Sequence, residues 1–196
     1  MVTFEKRSGR PAVALLLGAG IESISELGLA RTTVSEVCAR AGVPQGALFR
    51  HFGDMQDFVV AVAEETAFRQ IVDFQRRFDA APRDAEPFET ALRLLWESAK
   101  EPANAVFTEL RLAARTDLDL RERLMPMLEA YGRDIEAIAV QLPGLEIIPP
   151  EYFEELLLMV LDIFAGSTGR TAVRDLADLE ESRIPLMIAL LRSFLA

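Results

Sequence analysis

One histidine, His51, and one cysteine, Cys38, limit what this 196-residue chain can do chemically. A lone imidazole could act as a general base. No second histidine joins it, however, and no activated serine or cysteine signature is present, so the sequence points away from catalysis. A His/Cys metal cage needs more of these residues than the chain has. A single thiol cannot close an internal disulfide either, which suits a reducing compartment. The side chains left for specific work are hydrogen bonders. They concentrate in residues 33–52, TVSEVCARAGVPQGALFRHF.

The local pattern of that stretch dictates how those groups would be held. Thr33-Val34-Ser35-Glu36 has the form of a capping box, in which the Thr hydroxyl accepts the Glu36 N–H and the carboxylate reaches back. A short helix then carries Val37, Cys38 and Ala41. Gly42 falls where a tight turn needs positive φ, and Val43 is placed to plug the space between two helices. Pro44 suits the first turn of a second helix. On that helix Leu48 and Phe52, four apart, can pack inward, which turns Gln45, Phe49 and Arg50 toward the opposite side. Two short helices joined by a glycine turn make a helix-turn-helix, whose second helix enters the DNA major groove. Helical hairpins are common, so periodicity leaves a plain structural hairpin open.

The chain resembles the tetracycline-repressor-like (TetR) family of regulators from about Val13 to Phe58. A first helix ends in Glu26-Leu27-Gly28-Leu29, and Thr32-Thr33-Val34, Ala41-Gly42-Val43 and Gly46-Ala47-Leu48-Phe49-Arg50-His51-Phe52 follow in the family's order and spacing. The resemblance implies that Thr33 and Ser35 lie near the DNA backbone. It also implies that Gln45, Gly46, Ala47, Phe49, Arg50 and His51 sit on or beside the recognition helix. Chemistry agrees for several: Gln can bond adenine through two bonds, Arg can take guanine or phosphate, and Ala47 can touch a thymine methyl. Cys38 stands where the family has a small apolar residue, so a buried thiol is expected. Three positions depart from the family. Phe49 replaces a usual Tyr, Ala47 a frequent Ser or Thr, and Met55 a usual Lys. Each departure removes a group that could hold a phosphate.

Charge bears on the same point. The chain carries a formal −10, but residues 1–58 hold six basic and six acidic side chains, so the whole excess belongs to residues 59–196. A neutral reading head predicts weak non-specific attraction to DNA. Lys6, Arg7 and Arg10 before the apolar run Ala12–Ala19 mimic a signal peptide. Cleavage there would remove most of a helix that the next motif needs, and a cytoplasmic location is the better expectation. No apolar run approaches the roughly 18–20 residues of a bilayer span, so no membrane partner is expected.

The remainder reads as helix. Strand alternation and hairpin turns are missing, and about nine helices are expected in all. The first runs from Pro11 to Leu27, and its Gly18 and Gly20 would suit another helix crossing closely. A long one begins near Asp54 and reaches about Phe78. Others are expected at Phe88–Lys100, Ala103–Arg115, Leu118–Leu142 (kinked or divided by Pro126), Tyr152–Thr168 and Pro185–Leu195. Phe68, Trp96, Phe107, Met125, Met127, Tyr131, Met159 and Phe164 read mainly as core. Together they are also the material of an apolar pocket. The last two helices are apolar around more of their girth than one core stripe requires. That favours an isologous dimer interface, in which Leu157 and Leu191 are expected to take part.

These features predict an all-α homodimer, with a three-helix helix-turn-helix head at residues 1–53 and a ligand-sensing, dimerising body at 54–196. The expected role is a ligand-responsive regulator, a repressor released from a palindromic double-stranded DNA operator by a small apolar effector. No cofactor, metal or enzymatic activity is expected. The rivals are an all-helical small-molecule binding protein with weak or no DNA binding, and an interaction module whose acidic body docks a partner protein.

Overall fold

A computed structural model of the chain describes residues 11–82, 85–142, 145, 148–171 and 177–195. Lys6, Arg7 and Arg10 lie outside the described residues. The elements are α1 (Pro11–Leu27), a single 3-10 turn (Leu29–Arg31), α2 (Val34–Ala41), α3 (Gly46–His51), α4 (Met55–Asp79), α5 (Pro87–Lys100), α6 (Asn104–Ala114), α7 (Leu118–Ala139), α8 (Pro150–Thr171) and α9 (Ala177–Leu195). The described residues are helical with no strand, as expected.

The chain divides into two compact units. The first takes residues up to Val72 together with Glu101–Asp134, and the second takes Asp73–Lys100 with Ile135 onward. In the first unit, one apolar cluster runs through Leu16, Leu17 and Ile24 of α1, Val37 and Cys38 of α2, and Leu48 of α3. It continues through Phe58 and Val62 of α4, Phe107 and Leu110 of α6, and Leu124 and Met127 of α7. Gly20 shows why α1 tolerates a helix-weakening residue. A Cβ there would lie 2.5 Å from Val62 Cγ2 and 2.7 Å from Phe58 Cζ, so α4 crosses α1 at a distance only glycine allows. Nothing within 4 Å constrains Gly18 in this way.

Polar groups enter this unit as well. Tyr131 stacks on Phe107 with ring centroids 5.0 Å apart, and its hydroxyl donates to Gln70 Oε1 at 2.7 Å. Part of Tyr131 reaches the surface, yet its hydroxyl end is desolvated, and that burial pushes the phenol well above its ordinary pKa. Pro126 neither ends nor divides α7. It faces outward, where water can satisfy the carbonyl its ring leaves without a partner.

The second unit has an aromatic core. Phe88, Leu92 and Trp96 of α5 pack with Val160 and Phe164 of α8 and with Ile184, Met187 and Ile188 of α9. Trp96 and Phe164 meet with centroids 5.2 Å apart. Pro185, expected to start the last helix, lies inside α9 instead. Its ring is exposed, so the missing N–H costs little packing there.

The wide apolar coverage of α8 and α9 separates into two stripes. Val160, Phe164, Ile184 and Ile188 point into the unit's own core, Leu191 is half-buried against them, and Leu157 is half-buried. Leu186, Leu190 and Phe194, four apart on α9, remain 60%, 62% and 59% exposed. Tyr152, Met159 and Ile163 form a second exposed row on α8, and Tyr152 meets Phe194 edge-on at 5.8 Å. Of the aromatic and Met side chains expected mainly as core, Trp96, Phe107, Met127 and Phe164 are buried. Phe68 is half-buried, and Met125 and Met159 are exposed.

Candidate nucleic-acid interface

The helix-turn-helix is built by caps and by two inward anchors. Thr33 is extended, and its hydroxyl accepts the Glu36 N–H at 3.2 Å, opening α2 as the capping pattern requires. The other half of that pattern is redirected: the Glu36 carboxylate turns along the helix to Arg40 Nε at 3.0 Å. Gly42 closes α2 with φ 67°, a left-handed conformation that glycine adopts without strain. Val43 packs against the core between the helices. Pro44 stands just outside α3, where its carbonyl accepts the Ala47 N–H at 2.8 Å, and Gln45 takes the cap position.

Leu48 is fully buried and Phe52 nearly so, which fixes the rotation of α3 about its axis. That rotation sets where each expected site residue lies. Gln45, Gly46, Phe49 and Arg50 are exposed along the outer side, Phe49 by 54% of its surface. Ala47 and His51 are half-buried at its margins, and Thr33 and Ser35 are exposed at the start of α2. Gln45 Nε2 donates to Ser35 Oγ at 2.8 Å and so ties the openings of α2 and α3 together. The amide keeps its carbonyl oxygen and a second N–H for another partner. Cys38 is buried, with its thiol 3.7 Å from the Gln45 carbonyl.

Electrostatics around this surface are guarded. Arg40 pairs with Glu26 at 2.8 Å, Glu36 at 3.0 Å and Glu22 at 3.6 Å, and bonds to the first two hold its guanidinium more firmly protonated than usual. Arg31 Nε is occupied by the Leu27 carbonyl at 2.8 Å. Arg50 is exposed, with no carboxylate partner among the described residues. Past α3, Met55 is half-buried against the apolar cluster. No grouping of His, Cys, Asp and Glu among the described residues could hold a metal ion. No described helix is long and apolar enough to cross a membrane.

Two connections escaped sequence reasoning. The Leu29 N–H donates to Glu109 Oε2 of α6 at 3.0 Å, so α6 braces the turn that leads into α2. Arg123 of α7 reaches Asp54 at 2.9 Å, Asp57 at 2.8 Å and Asp119 at 3.2 Å. Only the pair with Asp119, four residues away, had a signal in the sequence.

Residues 16–62 match the family model described as bacterial regulatory proteins, tetR family. An HTH-type transcriptional regulator of Mycobacterium tuberculosis is 38% identical over 191 residues, covering 97% of this chain and 98% of the relative. The chain belongs to the tetR family of transcriptional regulators. Solved structures agree on the fold of this regulator. A TetR-family transcriptional regulator from a Rhodococcus species superposes with TM-score 0.69 at 17% identity, covering 95% of this chain and all of that one. FadR of Bacillus subtilis, crystallised with stearoyl-CoA, gives TM-score 0.61 at 19% identity over 88% of this chain and 96% of that one.

Proposed function

We propose that this tetR-family member is a ligand-responsive repressor that binds a palindromic operator as a homodimer and is released by a small apolar effector. The observation that carries the DNA-reading half is the orientation of α3. Leu48 and Phe52 are buried, and Gln45, Phe49 and Arg50 are presented outward on the face a groove would meet. Thr33 and Ser35 are assigned to the flanking backbone, and Gly46, Ala47 and His51 to close approach along the helix. Gln45 is suited to adenine, because the bond to Ser35 uses one amide hydrogen and leaves the acceptor–donor pair that adenine requires. The reading division is functional, with residues 1–53 reading DNA and 54–196 sensing and dimerising.

Dimerisation is supported by the exposed apolar rows of α8 and α9, joined at the Tyr152–Phe194 contact. Contiguous apolar surface of this kind marks an interface. Two reading helices must reach half-sites about one helical turn apart, so a dimer supplies the geometry a palindrome demands. For the effector, the support is the structural neighbour crystallised with stearoyl-CoA, whose acyl chain points to an apolar ligand. Effector binding would favour a state with a different separation of the reading helices, transmitted along α4. The protein's work is binding, without catalysis or a cofactor, in the cytoplasm.

Selection of bound fragments from a random duplex pool tests this reading. A repressor enriches a palindrome, and an added long-chain ligand lowers its recovery. One observation favours a second reading, that of a small-molecule binder with little DNA affinity: Arg40 is already claimed by three carboxylates. Under that reading the same selection enriches nothing.

A further inference from the structure

Two carboxylates stand where α3 hands over to α4. Asp54 and Asp57 are each 48% exposed at the side chain, two and five residues beyond the buried Phe52. Asp54 Oδ1 caps α4 by accepting the Asp57 N–H at 2.8 Å, and that bond holds its carboxyl below the ordinary range. The cap sits on the positive end of a 25-residue helix, a place that would otherwise attract phosphate. Beside it stands Met55, half-buried and uncharged. Left alone, this turn would present two negative charges a few residues beyond Arg50 and His51.

It is not left alone. Arg123 Nη1 lies 2.9 Å from Asp54 Oδ2 and 2.8 Å from Asp57 Oδ1, across 69 and 66 residues of sequence. Asp119 shares the same guanidinium from α7, and Asp117 accepts from Gln56 at 3.3 Å nearby. We propose that Arg123 is a positioning residue for DNA binding: by gathering Asp54 and Asp57 on one guanidinium, it offsets part of the negative charge of a turn that would otherwise repel the phosphates flanking α3 more strongly. This rests on the DNA-reading proposal and adds to it a residue that never touches DNA.

Magnitudes support an effect of useful size. A six-residue α3 is about 9 Å long at 1.5 Å per residue, so the turn lies within about 10 Å of any groove that α3 enters. That is about one Debye length at 0.1 M salt, so the repulsion is felt. One unscreened carboxylate–phosphate pair at about 10 Å changes affinity about twofold in bulk water, and more beside a protein surface. Removing the one guanidinium charge that faces two or three phosphates therefore weakens binding by about four- to eightfold.

Fluorescence anisotropy on a mixed-sequence duplex, between about 50 and 200 mM salt, tests this. Arg123→Gln should bind about fivefold more weakly at the low end, with the difference shrinking as salt rises and the log–log slope becoming shallower. Adding Asp54→Asn and Asp57→Asn to that variant should restore low-salt affinity, since Asn still caps a helix. A scaffolding arginine predicts the opposite, because the triple variant lacks the ion pair too and would stay weak. Should Arg123→Gln fail to fold, Asp54→Asn/Asp57→Asn with Arg123 retained must tighten binding and steepen the slope. Equal loss at every salt without rescue, or no loss at all, overturns the proposal. If the unaltered protein binds no duplex, the DNA-reading proposal falls with it; if it binds and Arg123→Gln binds as well, only this inference falls.

Discussion

The two units use their apolar residues in opposite ways. The first consumes them in one cluster shared by six helices, and what it leaves outside along α3 is polar or aromatic and close to neutral. Its other exposed apolar residues, such as Leu15, Leu112 and Leu118, lie on three different helices, as scattered surface residues usually do. The second unit builds a core from Phe88, Trp96 and Phe164 and still leaves Leu186, Leu190 and Phe194 in a row on its surface. The difference teaches that the first surface suits the polar, wet partner proposed for it, while the second leaves apolar area that the proposed dimer would cover.

The largest expected effect comes from charging that second surface. Leu190→Glu with Phe194→Glu places carboxylates where an apolar partner face is proposed, at a cost of several kcal/mol if they stay unpaired. Light scattering should then show monomers that keep their helical content, with operator binding lost and the melting temperature lowered as the dimer's stabilisation is removed. A variant that remains dimeric breaks the comparison. Leu191 is the weaker site for this test, because it is half-buried in its own unit and its loss would damage the core as well.

Next in size is a test of how tightly the first unit is packed. Gly20→Val must displace Val62 or Phe58, and overpacking of this kind costs about 1–3 kcal/mol. Urea unfolding should show a lower midpoint with an unchanged slope. Gly18→Val, with nothing within 4 Å, should be close to neutral. Equal effects at the two glycines would mean that α1 and α4 do not approach as closely as Gly20 indicates.

Comparable in size, though felt only in binding, is the loss of one base contact. Gln45→Ala should cost about 1–3 kcal/mol of discrimination at one position in each half-site, leaving other positions as strict as before. Competition with operators altered one base pair at a time measures this. Uniform weakening across all of them would assign Gln45 to the backbone instead.

The smallest effect concerns Met55. Its half-buried stem packs against the core, and a lysine there can keep that packing while extending its amine to solvent. Met55→Lys should steepen the salt dependence by about one unit per added phosphate contact and leave sequence preference alone. A lower melting temperature without tighter binding would show that the position serves packing only.

Much of this was legible because it is local. The bounds of α1, the Thr33 cap, the left-handed Gly42 and the inward pair Leu48 and Phe52 each follow from a few neighbouring residues. Proline was read too strictly at Pro185, which sits within α9, because an exposed face can satisfy a freed carbonyl with water; Pro126 sits within α7, which excludes the divided alternative. Glu36 was expected to return to its own cap, but Arg40 one turn along offers it a charge. Long-range pairs were beyond reach. Nothing near Asp54 announces Arg123, and nothing near Leu29 announces Glu109, since tertiary packing alone brings them together. The split of α8 and α9 into inward and outward stripes was hidden for the same reason. Periodicity counts apolar positions without saying which of them a neighbouring helix will cover.

The single cluster running from α1 to α7 also bears on how such a regulator can change over evolutionary time. Its reading helices share buried neighbours with segments far along the chain, from Val106 to Met127. A crossover after α3 would join Leu16, Leu48 and their companions to α4, α6 and α7 side chains of foreign shape, leaving voids and clashes in one stroke. Exchanging exposed residues of α3 one at a time disturbs none of these contacts, whereas transplanting the head as a cassette disturbs many at once.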